Sequence, residues 1–317
     1  MTESTGRQER RLAGKEVRKK VPRESMGVWA PPDDRRDPVQ ILIEQGDSRV
    51  QDLVPIRYAR MLSSEFAFYR GAAAVMASDL SYSANTHLTV QLAGDAHLSN
   101  FGGYAAPDRT FVFDVNDFDE TLPGPFEWDL KRLVASFAVA GRGNGFDEKT
   151  RARIIGRVVR TYREAVQKFS EMPRMDVWYS RLTAQDIIDE WGAKVDKSYR
   201  KAFEKQVAKA QTKTSERALQ KLTTTDADGN ISFLSNPPFM EPFDEVVGAE
   251  DRDAYQHAAQ AALVDYRRSL VSDRRVLFSG YRVVDLARKV VGVGSVGTRC
   301  WVMLLMADQD ESDVLML

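Results

Sequence analysis

Cysteine is almost absent from this chain. The lone Cys300 has no partner for an internal disulfide, so nothing in the sequence requires an oxidising compartment. Histidine is nearly as scarce: His87, His97 and His257 are the whole complement of 317 residues, which argues against a metal site built from a histidine cluster. An excess of one charge is missing too, because 45 Lys and Arg face 46 Asp and Glu for a net charge of −1. That balance excludes a strongly basic nucleic-acid binder. Apolar runs such as Leu133–Ala140 fall far short of the roughly 20 residues that cross a bilayer. Residues 1–20 interleave Arg and Lys with Glu and hold no apolar stretch, unlike a signal peptide. The expectation is a cytoplasmic protein with no nucleic-acid partner and no membrane association.

What is present suits a soluble globular chain of one large or two ordinary domains, with 43% hydrophobic and 29% charged residues. Residues 1–36 are polar and carry Pro22, Pro31 and Pro32, which reads as a mobile or loosely docked arm. From Asp37-Pro38 the pattern turns helical, and Phe66–Leu80, Trp128–Ala140, Glu148–Phe169, Lys197–Leu222 and Asp251–Val271 all read as helices. His87–Leu92 and Thr110–Val115 read as two strands of one hairpin, with the turn-rich stretch Asn100–Arg109 between them. Thr223–Pro242 reads as a loop with an Asp-Gly-Asn turn. After Gly280 the character becomes strand-like, over Val283–Val291, Trp301–Met306 and Val314–Leu317. The fold class is therefore α+β, with divisions at 1–36, 37–280 and 281–317.

The densest polar constellation runs from Gly94 to Asp129. It holds Asp95, His97 and Asn100, then Asp114, Asp117, Asp119 and Glu120, and finally Asp129-Leu130. Acids gathered at strand ends repel one another unless a cation or a shared proton relieves them. Oxygen donors without Cys and with little His suit Mg²⁺. Asp95 and Asn100 reproduce the spacing Asp-x-x-x-x-Asn of a phosphotransferase catalytic loop, in which the Asp accepts a hydroxyl proton and the Asn holds a metal. Asp117-Phe118 follows a strand, where the second metal-binding acid belongs, and Asp119 is a further candidate ligand.

This run resembles the antibiotic phosphotransferases of the protein-kinase-like superfamily, with Gly-Asp-x-His-x-x-Asn, then Asp-Phe, then Gly…Asp-Leu. The residue before Gly94 is Ala93, where those enzymes carry His. The resemblance implies that Asp129 supports the catalytic loop by hydrogen bonds without touching substrate. His97 would orient the loop or touch a phosphate, and a structural role in the turn fits it equally. Arg57, Arg60 and Arg70 are read as partners of local acids in preference to an anion clamp.

No glycine-rich loop precedes Asp95. One comes instead near the C-terminus, with Gly292, Gly294, Ser295 and Gly297 between apolar strands. Alone it reads as a hairpin turn; in this company it reads as a loop covering nucleotide phosphates. A dinucleotide-binding fingerprint is disfavoured because Thr298–Met306 is strand-like where a helix should follow. The permuted order, with Phe66–Gly71, Gly94–Asn100 and Val290–Gly297, closely resembles the bacterial family known as domain of unknown function twenty-two fifty-two. The resemblance implies a mainly helical kinase-like catalytic lobe followed by part of a small β-sheet nucleotide lobe. The phosphate-pairing lysine, its glutamate partner and the adenine hinge are expected beyond Leu317, so the chain reads as truncated at its C-terminus. The expected activity is phosphoryl transfer dependent on ATP and Mg²⁺, to an unidentified small-molecule or protein acceptor. A nucleotide-binding module without transfer chemistry is the alternative, and a metal-dependent phosphoesterase is disfavoured for want of histidine ligands.

Overall fold

The structure, a computed structural model, describes residues 6–192, 195–211, 215–248, 252–309 and 313–316. The chain divides into two compact units: residues 1–47 with 57–207, and residues 48–56 with 208–317. This division cuts at 207/208, within the stretch read from sequence as one helical region ending at 280. It also assigns the short segment 48–56 to the second unit.

The first unit begins with helix α1 (Arg7–Lys20), then α2 (Pro38–Asp47) and α3 (Val54–Met61), the last of which starts in the second unit's segment. Residues read as a loose polar arm are thus helical over 14 positions. They are also tied down: Arg7 donates to the carbonyls of Glu171 and Met172 at 2.9 and 3.2 Å. Arg35 binds both carboxylate oxygens of Asp79 at 2.7 and 2.8 Å. The single helix expected over Phe66–Leu80 is two, α4 (Glu65–Gly71) and α5 (Ala73–Ser81), broken at Ala72. Fully buried Arg57 donates to the Gly71 carbonyl at 2.9 Å and to Gln45 at 3.0 Å, pinning the end of α4. A Cβ on Gly71 would lie 2.6 Å from Met61, so glycine permits that close packing.

The expected hairpin pairing is incorrect. Strand β1 (Thr89–Leu92) pairs antiparallel with β4 (Leu122–Pro125), while β2 (Phe101–Ala105) pairs with β3 (Phe111–Val115). Gly102 and Gly103 suggested a turn, yet they lie inside β2. Added Cβ atoms there would meet the Asn116 amide at 2.5 Å and the Phe111 ring at 2.3 Å. Glycine in this strand marks a close approach, not a bend. The turn itself is Ala106–Thr110, closed by Ala106 N–H to the Thr110 carbonyl at 2.9 Å. Helices α6 (Glu127–Gly143), α7 (Glu148–Glu171), α8 (Arg174–Trp178), α9 (Ala184–Trp191) and α10 (Lys197–Gln211) follow, with α10 crossing the boundary between units.

The second unit continues with α11 (Ser215–Leu222) and the strands β5 (Thr223–Thr225), β6 (Ile231–Phe233) and β7 (Met240–Pro242). β5 and β6 form a hairpin where a loop was expected. The Asp226 carboxylate closes it by accepting the Asp228 and Asn230 N–H groups at 2.9 and 2.8 Å, and Gly229 takes φ +87°. Then come α12 (Phe243–Val246), α13 (Arg252–Ser269), α14 (Ser272–Phe278), β8 (Tyr281–Lys289), β9 (Trp301–Ala307) and β10 (Val314–Met316). The sheet order is β10-β9-β8-β7, all antiparallel. Alternating residues of β8 and β9 bury Ala287, Leu304 and Met306 against Phe233, Met240 and Val314. β10 is an edge of this sheet among the described residues, and Leu317 lies outside them.

Leu304 is fully buried in that cluster, so Leu304→Ala lowers the free energy of unfolding by about 2–5 kcal/mol. Urea denaturation of the two proteins measures it.

Candidate functional site

Helix α6 presents Asp129, Arg132 and Ser136 at spacings of three and four, so the three side chains share one face. That face holds the loop from Ala93 to Asn100. The Asp129 carboxylate accepts the Ala93 and Gly94 N–H groups at 2.7 and 3.1 Å. Ser136 Oγ accepts the Leu98 N–H at 3.0 Å. Arg132 donates through Nε and Nη2 to Asp95 Oδ1 in a buried ion pair.

The loop is closed on itself as well. Asn100 Nδ2 and the His97 N–H both donate to the Asp95 carbonyl, at 2.9 and 2.7 Å. His97 Nδ1 accepts the Ser99 N–H at 3.1 Å, which places the proton of a neutral imidazole on Nε2. Nε2 lies 3.6 Å from Asp95 Oδ2. Gly94 has φ +80°, and a Cβ there would sit 1.9 Å from the Glu120 carbonyl oxygen. No side chain fits that position, so Gly94 is fixed by both conformation and space.

Burial and the guanidinium groups of Arg132 and Arg70 push the His97 imidazole below its ordinary value, against the opposing pull of Asp95. Burial raises the Asp129 carboxyl despite its two backbone donors. Desolvation, followed by the charges of Asp95, Asp117 and Asp119, raises the Glu120 carboxyl. Burial pushes the Tyr69 phenol up to about 12; its hydroxyl donates to the Arg132 carbonyl at 2.7 Å, and the Arg132 guanidinium lies 4.6 Å from its ring centre.

The structure therefore brings Asp95, His97, Asn100, Asp117, Asp119 and Asp129 into one neighbourhood of the first unit. Among the described residues, no three His, Cys, Asp or Glu side chains form a ready-made metal cage. Mg²⁺ needs less than a cage, because it is held by one or two carboxylates with water and phosphate oxygens. Asn100 turns its amide hydrogens inward and keeps Oδ1 as an acceptor. The carboxylates that raise Glu120 form the like-charged set that a cation relieves. Asp117 Oδ1 also accepts the Asp119 N–H at 3.4 Å, holding the two acids in one turn. The donor set suits the ion.

Gly292, Gly294, Ser295 and Gly297 belong to the second unit. Gly297 is buried there with φ +88°, its carbonyl accepts the Val50 N–H at 2.8 Å, and an added Cβ would meet Arg49 at 3.1 Å. Val296 is fully buried, and its carbonyl accepts from Arg49 at 2.5 Å. Part of the glycine-rich stretch therefore anchors the segment 48–56. Sequence reading missed Arg132, Ser136 and Tyr69. Arg132 and Ser136, in register with Asp129 on one face of α6, were the available signal.

Removing one partner of a buried ion pair strands the other charge, so Arg132→Met destabilises the chain by about 3–5 kcal/mol. Adding Asp95→Asn to Arg132→Met restores most of that loss, as chemical denaturation of the three variants measures. His97 has a depressed value in the folded state, so the unfolded state binds its proton more readily. Its contribution to stability is complete above the ordinary imidazole value of 6.5 and declines as pH falls below it toward the depressed value. His97→Gln flattens that part of the profile, as melting temperature followed against pH measures.

Searches of curated proteins and of solved structures return no match. A family described as an uncharacterized protein conserved in bacteria, DUF2252, matches residues 49–317, which include the whole of the site. The chain belongs to that family.

Proposed function

We propose that the first unit carries the catalytic loop of an ATP- and Mg²⁺-dependent phosphotransferase. The observation that carries this reading is the loop from Ala93 to Asn100, fixed to α6 by Asp129 and closed by Asn100 on the Asp95 carbonyl. A loop held at both ends keeps an acceptor-facing carboxylate in place without reorganisation, the main requirement of phosphoryl transfer. Asp95 orients the acceptor hydroxyl and takes its proton. His97, buried and neutral, packs edge-on against Phe66 at 6.1 Å and holds the loop's turn. Asn100 and Asp117 would hold Mg²⁺ with Asp119 beside them, and the bound ion would neutralise phosphate charge. A phosphate-contacting role for Gly292, Gly294 and Ser295 is supported by their sequence spacing alone.

One observation favours a second reading. Arg132 occupies Asp95 Oδ1 in a buried pair, so that oxygen is already taken by an internal partner and is not free to meet an acceptor hydroxyl. A module that binds nucleotide without transferring phosphate would have this arrangement.

Titration of Mg²⁺-ATP into the chain by calorimetry tests both readings. Binding at a single site that is lost in Asp117→Ala is expected. Slow ATP turnover that falls at least about 100-fold in Asp95→Asn while binding persists identifies the transferase. Binding with no turnover, unchanged by Asp95→Asn, selects the second reading. An absence of binding, both here and in a chain extended beyond Leu317, rejects both.

A further inference from the structure

The first unit contains a cavity of about 790 Å³ that is lined by none of Asp95, His97, Asn100, Asp117, Asp119 and Asp129. Its walls come from α4, α5, α6 and the chain around Met26–Trp29. The volume lies within the roughly 300–1,000 Å³ range of small-molecule sites. Met26, Met61, Met76, Phe68 and Val75 make the interior apolar and adaptable. Val28, Trp29, Leu62 and Phe68 stay exposed around it, so the apolar surface continues to the mouth.

The polar groups in the lining are few and unequal. Asp79 is held by Arg35 through both oxygens, and Glu65 is exposed. Lys131 is half-buried and uses one of its three ammonium hydrogens on the Ala84 carbonyl at 3.3 Å. Burial lowers its pKa, while the Glu127 carboxylate on the same helix opposes that shift. A mostly apolar chamber with one incompletely satisfied cation matches one ligand chemistry: a long apolar chain ending in a single negative charge.

We propose that this cavity binds a free long-chain monocarboxylate, with its chain among the methionines and its carboxylate on Lys131. The site is separate from the phosphotransferase reading and does not depend on it. It shares one wall with that neighbourhood, because Tyr69 and Met76 both contact Arg132.

The test is a calorimetric titration with saturated carboxylates from octanoate to hexadecanoate, each below its micellar concentration. One site is expected, with the dissociation constant tightening about fourfold per added methylene until the cavity is filled. Ala135→Phe, which fills the chamber, should abolish binding while leaving the ATP titration unchanged. Lys131→Met should keep the chain-length dependence but reduce the preference for carboxylate over the matching alcohol by about tenfold. A dissociation constant independent of chain length would overturn the proposal. Binding retained in a natively melting Ala135→Phe protein would do the same, as would uptake of the chain only as phosphatidylcholine vesicles. If Ala135→Phe does not fold, the chain-length series on the unaltered protein decides.

Discussion

The buried pair of Asp95 and Arg132 is the constraint on which the rest of the first unit depends. Two charges withdrawn from water are tolerated only when each finds its counterpart and the surrounding polar atoms are also satisfied. The surroundings meet that condition closely. Tyr69 accepts Arg132 Nη2 at its carbonyl and lends its ring to the guanidinium, while the Asp95 carbonyl gathers the His97 N–H and the Asn100 amide. Helix α6 is the beam for this arrangement, and its polar face sets the path of the loop from Ala93 to Asn100. The loop's shape is therefore fixed before any ligand arrives.

That fixity gives the acids beside it their meaning. Asp117 and Asp119 lie in an exposed turn after β3, held near Glu120, whose backbone packs on Gly94 with no room for a side chain. One part of the neighbourhood is neutralised internally by Arg132, and the adjoining part is left with an excess of negative charge. The Mg²⁺ proposed above is the kind of counter-charge that would relieve this excess.

The polar N-terminal stretch takes part in the same unit by different means. Arg35 grips Asp79 while its guanidinium lies 5.5 Å from the Trp29 ring, so a segment rich in proline and charge is held over the apolar cavity. Tyr69 stands between the two regions: it lines the cavity, and its ring, carbonyl and hydroxyl all meet Arg132. In the second unit, Gly297 takes part in packing, its carbonyl accepting the Val50 N–H. Its φ of +88° strains any larger residue, and an added Cβ would press on the Arg49 side chain at 3.1 Å.

The α+β class, most of the helices and the strands on either side of the glycine-rich stretch were legible in the sequence, as was the spacing of the polar run that holds Asp95, Asn100, Asp117 and Asp129. They depend on local periodicity and fixed spacing, and both are properties of neighbouring residues along the chain. The pairing of the strands was not, because Gly102 and Gly103 read locally as a turn and only the approach of Asn116 and Phe111 makes them a strand. The ion pair was not either: Asp95 and Arg132 are 37 positions apart, and no periodicity links a loop residue to a helix residue at that distance. The sequence by itself determined which chemical groups were available and in what local spacing. Only the tertiary structure decided that an arginine occupies the candidate base and that a cavity opens beside it, because burial and charge pairing are set by what packs against a residue and not by what adjoins it.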